Sequence, residues 1–188
     1  EEVRDNVTIA PNRIYVTPQN ANIEYIAGRL ELSPPSGGAH PKPSVDVLLT
    51  SIAEHAGDRA VAVILSGTGS DGALGVRAVK AAGGCTYAQD DNTAKYNGMP
   101  HAAIATGCVD FVMPPERIAE EVGNLAEIER TATADAPSVD VSVYEEILKV
   151  LRLRTGTDFT RYKENTVRRR LQRRMVANHL TQAEQYLE

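Results

Sequence analysis

Apolar positions follow two rhythms along this chain. Alternation marks Arg13–Thr17 as a strand, and it marks Asn22–Ile26 and Arg29–Ser33 as a hairpin turning at Ala27-Gly28. From Ser44 the rhythm changes. Val45, Leu48, Leu49 and Ile52 fall on one face of a helix that stops at Gly57. Ala60–Leu65 is an unbroken apolar run, the pattern of a strand covered on both faces. A helix is expected over Ala73–Ala82, ended by Gly83-Gly84, and then a strand over Cys85–Gln89. A short helix from Met99-Pro100 through Ala105, a strand over Val109–Met113 and a helix opened by Pro114-Pro115 and running to about Arg130 follow. Strand and helix in alternation at these spacings predict βαβ units, hence an α/β domain with a doubly wound parallel sheet.

Two segments interrupt the pattern. Pro34–Pro43 is a loop rich in Pro, Gly and Ser, and Thr131–Val141 is small and polar and reads as a linker. Beyond it, Ser142–Arg154, Thr166–Asn178 and Thr181–Leu187 carry helical periodicity. This divides the chain into an α/β domain over 1–130, a linker over 131–141 and a small all-α module over 142–188.

Composition changes the picture in three places. The chain has 188 residues, enough for one sizeable core and a small satellite, with 42% hydrophobic and 24% charged residues as in ordinary globular domains. No apolar run could span a membrane, and Glu1-Glu2-Val3-Arg4 has no signal-peptide character, so a cytoplasmic protein without membrane insertion is expected. The chain begins without Met, which suggests a trimmed polypeptide. Charge is divided. Residues 141–188 hold ten Lys/Arg against six Asp/Glu, whereas residues 1–140 hold ten against nineteen, an acidic body with a basic tail. Cys85 and Cys108 lie in apolar surroundings and are expected as buried free thiols. No metal site is read.

The loop Ser66-Gly67-Thr68-Gly69-Ser70-Asp71-Gly72 is the first candidate site, and it has three readings. Gly67, Gly69 and Gly72 match G-x-G-x-x-G between a strand and a helix, with Asp90 and Asp91 about twenty residues on, the form of a dinucleotide-binding fingerprint. Against it, Asp71 places a fixed anion where a pyrophosphate would sit. The second reading is structural: Ser70 or Asp71 is the N-cap of the next helix. The third is catalytic. The C-terminal edge of a parallel sheet is where α/β enzymes place their chemistry, and an Asp there can orient a His and stabilise its imidazolium. Residue chemistry alone leaves capping and catalysis open.

The run VAVILSGTGSDGALGVRAVKAAGGCTYAQDD, followed by GMPHAAIATGCVDFVMPPERIA, resembles the chemotaxis methylesterase family of the CheB type; upstream, Arg13–Pro18 and Lys42–Leu48 fit in order. The resemblance covers roughly residues 10–120. It implies hydrolysis of glutamyl methyl esters on chemoreceptors by a serine triad, with glutamine deamidation as a related reaction. It puts the triad aspartate at Asp71 and makes Gly67, Thr68 and Gly69 the rim of the site. The family usually has Met where this chain has Thr68, a residue that helps build the oxyanion site. The family's Ser and His fall before the matched region, which implies an incomplete sheet here. No Gly-x-Ser-x-Gly occurs, and His40, His55, His101 and His179 each read as solvated rather than as a base. The chain alone is therefore not expected to hydrolyse esters.

The second candidate site is the basic tail. On a helix, Val167, Leu171 and Met175 form a buried stripe, with Arg169 and Arg173 on one flank and Arg170 and Arg174 on another. A solvated face or a nucleic-acid patch are the plain alternatives, but with only Phe159 and Tyr162 nearby no stacking platform, and no nucleic-acid partner, is expected. LRTGTDFTRYKENTVRRRLQRRM, followed by LTQAEQYLE, resembles the all-helical N-terminal domain of CheR-type receptor methyltransferases. The resemblance implies docking of Arg168, Arg169, Arg170, Arg173 and Arg174 on acidic chemoreceptor helices. It also implies an S-adenosylmethionine site in a later domain, so no cofactor in this chain. The alternatives for the whole are a non-catalytic receptor-binding adaptor and a dinucleotide-binding oxidoreductase.

Overall fold

A computed structural model describes residues 1–34, 44–135, 140–161, 164–177, 180 and 182–187. It divides into two compact units, Glu1–Ile118 and Ala119–Glu188. The first unit opens with β1 (Val7–Thr8), β2 (Asn22–Ile26) and β3 (Arg29–Ser33), an antiparallel sheet in the order β1-β3-β2. Ile26 pairs with Arg29 across the turn, where Ala27 (φ 47°) and Gly28 (φ 91°) both take the left-handed conformation of a two-residue hairpin loop. The strand expected over Arg13–Thr17 is reduced to a single parallel bridge, Glu2 with Val16. Its alternation is real, but this stretch finds only Glu1–Val3 to pair with: Val3 N donates to Val16 O and Val16 N to Glu1 O.

The second sheet is parallel, in the order β4 (Val61–Ile64), β5 (Cys85–Gln89), β6 (Phe111–Met113). Around it run α1 (Ser44–Ala56), α2 (Ala73–Ala81) and α3 (Gly98–Ala105), and α4 (Pro115–Asp135) begins where β6 ends. Leu49 and Ala53 of α1, Val76 and Val79 of α2, and Ala103 of α3 close over Ala60, Ala62 and Ile64 in one core. The α/β class and the parallel sheet stand as expected. The strand buried on both faces, however, is β5 and not the apolar run at β4. Thr86, Tyr87, Ala88 and Gln89 are all buried, whereas Val61 and Val63 are half-buried. The reason is position. β5 is flanked by a strand on each side, while among the described residues β4 is paired on one side only. Polar Thr86 is accommodated because its hydroxyl bonds Cys108 O at 2.7 Å, and Asp110 accepts from Thr86 N while pairing with Lys80.

Cys85 and Cys108 are free thiols as expected, but half-buried rather than fully enclosed. Burial pushes the Cys85 thiol up, a hydrogen bond with Tyr87 opposing it.

The second unit is helical. It holds the rest of α4, then α5 (Val141–Thr155) and α6 (Glu164–Ala177), with short 3-10 turns at Phe159–Arg161 and Ala183–Tyr186. α4 continues to Asp135, five residues into the stretch read as linker, because Thr131–Asp135 contains neither Gly nor Pro to stop it. The last periodic segment is a 3-10 turn rather than an α-helix. α5 starts where Asp140 accepts from the Ser142 hydroxyl at 2.6 Å and from Ser142 N at 2.8 Å; these bonds, the hydroxyl's foremost, hold the Asp140 carboxyl below its ordinary range, and the helix ends at Gly156 (φ 71°). Tyr144, Ile147 and Leu148 of α5 meet Leu171 and Met175 of α6, with Ala183 and Val167 against them. The predicted stripe of α6 is therefore its buried face. Among the described residues no helix is long and apolar enough to cross a membrane.

Candidate functional site

The C-terminal end of β4 runs into the glycine loop, and the loop is tied down from the side of β5. Gln89, buried at the end of β5, accepts from Ser66 N at 2.8 Å and donates to Thr93 Oγ1 at 3.2 Å. Ser66 Oγ accepts from Tyr96 N at 2.9 Å. Gly67 N donates to Tyr96 O at 2.8 Å, and Gly67 O accepts from Met99 N at 2.9 Å. A side chain at Gly67 would collide with the Met99 sulfur, and a Cβ at Gly98 would lie 3.0 Å from Gly69 N. The start of α3 thus packs against the loop backbone at Gly98, where a side chain would crowd Gly69 N, Gly69 O and Gly67 O. Thr68, Gly69 and Ser70 are left exposed at the rim, with Gly69 at φ 87°.

Asp71 does not cap the helix that follows it. The N-cap of α2 is Gly72 (φ 96°), with no side-chain cap. Instead both Asp71 oxygens reach across to α1: Oδ2 accepts from Val45 N at 3.1 Å and Oδ1 from Asp46 N at 2.9 Å. The capping reading is thus corrected in its target. Asp71 satisfies first-turn N–H groups of a helix that begins 27 residues earlier in the chain. Asp46 returns the gesture, its Oδ1 accepting from Gly75 N of α2 at 2.8 Å. Two glycines make this approach possible. A Cβ at Gly72 would meet Ile64 Cδ1 at 2.6 Å and Val45 Cγ1 at 3.1 Å, and one at Gly75 would overlap Leu49. Residue types alone did not disclose Asp46, Gly75 or Gln89; an Asp in a first helical turn is too common to be a signal.

These contacts bear on the dinucleotide reading. A pyrophosphate would need the open N–H groups at the start of α2, and Gly75 N is already held by a carboxylate. Asp90, offered as the ribose partner, is used within its own turn, accepting from Thr93 N at 2.9 Å and from Thr93 Oγ1 at 2.7 Å. Asp91 pairs with His101 at 2.6 Å on the surface. His55 is exposed, edge-on to Tyr25 with ring centroids 6.5 Å apart. Neither histidine is bonded to Asp71. His40, Tyr162 and His179 lie outside the described residues.

In the second unit the five arginines are not equivalent. Arg168 is half-buried: its Nε donates to Glu164 at 2.7 Å and its guanidinium lies 4.1 Å from the Tyr144 ring centroid. Burial, the larger influence, raises the Tyr144 phenol, while the Arg168 charge lowers it. Arg170 is half-buried and Arg174 exposed; the side chains of Arg169 and Arg173 lie outside those described.

A three-stranded parallel sheet flanked by helices, with a glycine-and-aspartate loop at the C-terminal end of β4, defines a domain of the α/β class. The chain belongs to the CheB methylesterase family, which it matches over residues 1–122; residues 142–188 match the all-alpha domain of CheR methyltransferases. It is similar to an uncharacterized 104.1 kDa protein of Rhodobacter capsulatus, 37% identical over 99% of this chain and 22% of that protein. It is also similar to a protein-glutamate methylesterase/protein-glutamine glutaminase of Halobacterium salinarum, 49% identical over 44% of this chain and 24% of that one. The crystal structure of the Thermotoga maritima CheB methylesterase catalytic domain superposes with a TM-score of 0.59 at 31% identity, covering 65% of this chain and 67% of that domain. The chain thus spans about a quarter of the length of these two curated relatives.

Proposed function

We propose that residues 1–118 carry the aspartate-bearing part of a protein-glutamate methylesterase that acts on chemoreceptors in the cytoplasm. The reaction is hydrolysis of glutamyl methyl esters, with deamidation of glutamine as its close relative. Asp71 is the triad aspartate, and Gly67, Thr68 and Gly69 border the reacting ester. The nucleophilic Ser and the His come from sequence outside these 188 residues. The observation that carries this reading is the state of Asp71. Two backbone N–H groups fix its carboxylate at the C-terminal edge of the sheet, and a carboxylate has acceptor capacity beyond two bonds for an imidazole Nδ1–H. An aspartate so held does not lose a proton relay to rotamer disorder; it orients the imidazole that takes the Ser proton and later returns it to the departing methoxide.

Residues 142–188 are the receptor-docking start of a methyltransferase. Arg174, with Arg169, Arg170 and Arg173, meets the acidic receptor helices, and Arg168 braces the module that presents them. The elements described in Ala119–Glu188 are α-helices and 3-10 turns.

The test is methanol release from methylated receptor by a protein extended N-terminally to include the Ser and His. Asp71→Asn should lower kcat by about 10⁴, as loss of the orienting carboxylate does in serine triads. Turnover that survives Asp71→Asn removes Asp71 from the chemistry. Receptor binding without turnover by the unaltered extended protein makes it an adaptor.

A further inference from the structure

Asp71 sits between two glycines, Gly69 (φ 87°) and Gly72 (φ 96°), and next to exposed Ser70. Such a backbone does not place a carboxylate by itself. What places it is the start of α1, through Val45 N and Asp46 N. The start of α1 is in turn held to α2 by the Asp46 carboxylate on Gly75 N. Glycine at 75 offers no side chain of its own to make that link, and leaves room for none.

We infer that Asp46 is a positioning residue for Asp71. One residue supplies both halves of a closed clasp: its N–H binds Asp71, and its carboxylate binds the helix that follows Asp71. The link runs between two helices, so it differs from an ordinary first-turn acid that stabilises its own helix. Without it, the Asp71 carboxylate keeps its two backbone donors on α1, but the start of α1 is no longer bonded to the first turn of α2. The Asp71 carboxylate then loses a fixed direction, and the imidazole it orients loses its ion partner. This inference rests on Asp71 being the triad aspartate.

The experiment compares Asp46→Ala, Asp46→Asn and Asp71→Asn in the N-terminally extended enzyme, with methylated receptor as substrate. Asp46→Ala is expected to lower kcat by about 10- to 100-fold, the cost of a small misplacement, with KM within about twofold. Its acid limb of kcat/KM against pH should move to lower pH, because an imidazole without its carboxylate partner protonates less readily. Asp46→Asn keeps an oxygen for Gly75 N and should recover activity to within about threefold. Where Asp46→Ala does not fold, Asp46→Ser carries the same expectation: it keeps the helix-start preference but is too short to reach Gly75. An acid limb that stays in place in the folded variant overturns the inference, even if turnover falls, since lost folded protein lowers rate without moving the limb. If Asp71→Asn remains fully active, the triad reading itself has failed. If Asp71→Asn is inactive and Asp46→Ala behaves as the unaltered enzyme, only the role of Asp46 has failed.

Discussion

The two units of this chain are held together by opposite means. In Glu1–Ile118 the decisive positions are those where atoms are missing: Gly67, Gly72, Gly75 and Gly98 let backbones and helices approach until single hydrogen bonds bridge them. In Ala119–Glu188 the decisive positions are filled: Tyr144, Ile147, Leu148, Leu171 and Met175 make a small apolar core, with Arg168 laid over Tyr144. The first kind of construction fixes a polar atom in a chosen place. The second fixes a helical face by filling the space beneath it.

The sharpest way to break this contrast is to remove atoms where the second unit needs them. Leu171→Ala should destabilise the helical module by about 3 kcal/mol, and chemical denaturation followed by circular dichroism should show its loss ahead of the α/β unit. Adding atoms should be the injury in the first unit. Gly75→Ala gains about 1 kcal/mol of helix propensity, but the new methyl overlaps Leu49, and a net loss of about 1.5 kcal/mol is expected by thermal melting. A neutral or stabilising result would show that the close approach is not required. Arg168→Ala should cost about 1 kcal/mol through the lost ring contact and ion pair, while receptor affinity at high salt changes little; Arg174→Glu should do the reverse, weakening receptor binding most at low salt. The smallest effect is at Asp140. Its folded carboxyl is held below the ordinary range by Ser142, so its contribution is present above the unfolded value and is lost as pH falls through the folded one. Acidification below about pH 4 should fray the start of α5 and lower helical content slightly, and Asp140→Ala should abolish that dependence. An unchanged acid profile in Asp140→Ala would assign the fraying to another group.

Local patterns were legible and distant ones were not. The hairpin of Asn22–Ile26 and Arg29–Ser33, the strand Cys85–Gln89 and the helix from Ser44 to Gly57 each follow from periodicity and a glycine or turn residue within reach. The stripe Val167, Leu171, Met175 likewise names its own buried face. Arg13–Thr17 has the alternation of a strand, but a strand also needs a neighbour, and pairing partners are not written in a segment's own residues. The same holds at β4 and β5. The apolar run is half-buried and the mixed run is buried, because sheet order decides coverage. The polar rim of the glycine loop could be located from its residues and its place after a strand. The partners of Asp71 could not, for they come from the N–H groups of Val45 and Asp46, which every sequence possesses at every position.

The cap that Asp71 gives to α1 has a further consequence for how the chain comes to be folded. A helix capped by its own preceding residue can form early and alone. α1 receives its cap from a residue 25 to 26 positions later, after β4 has been laid down. Its first turn is therefore completed only when strand, loop and second helix have assembled. The amide protons of Val45 and Asp46 should exchange with solvent in step with that of Gly75, as one cooperative opening, rather than with the fraying of a helix end.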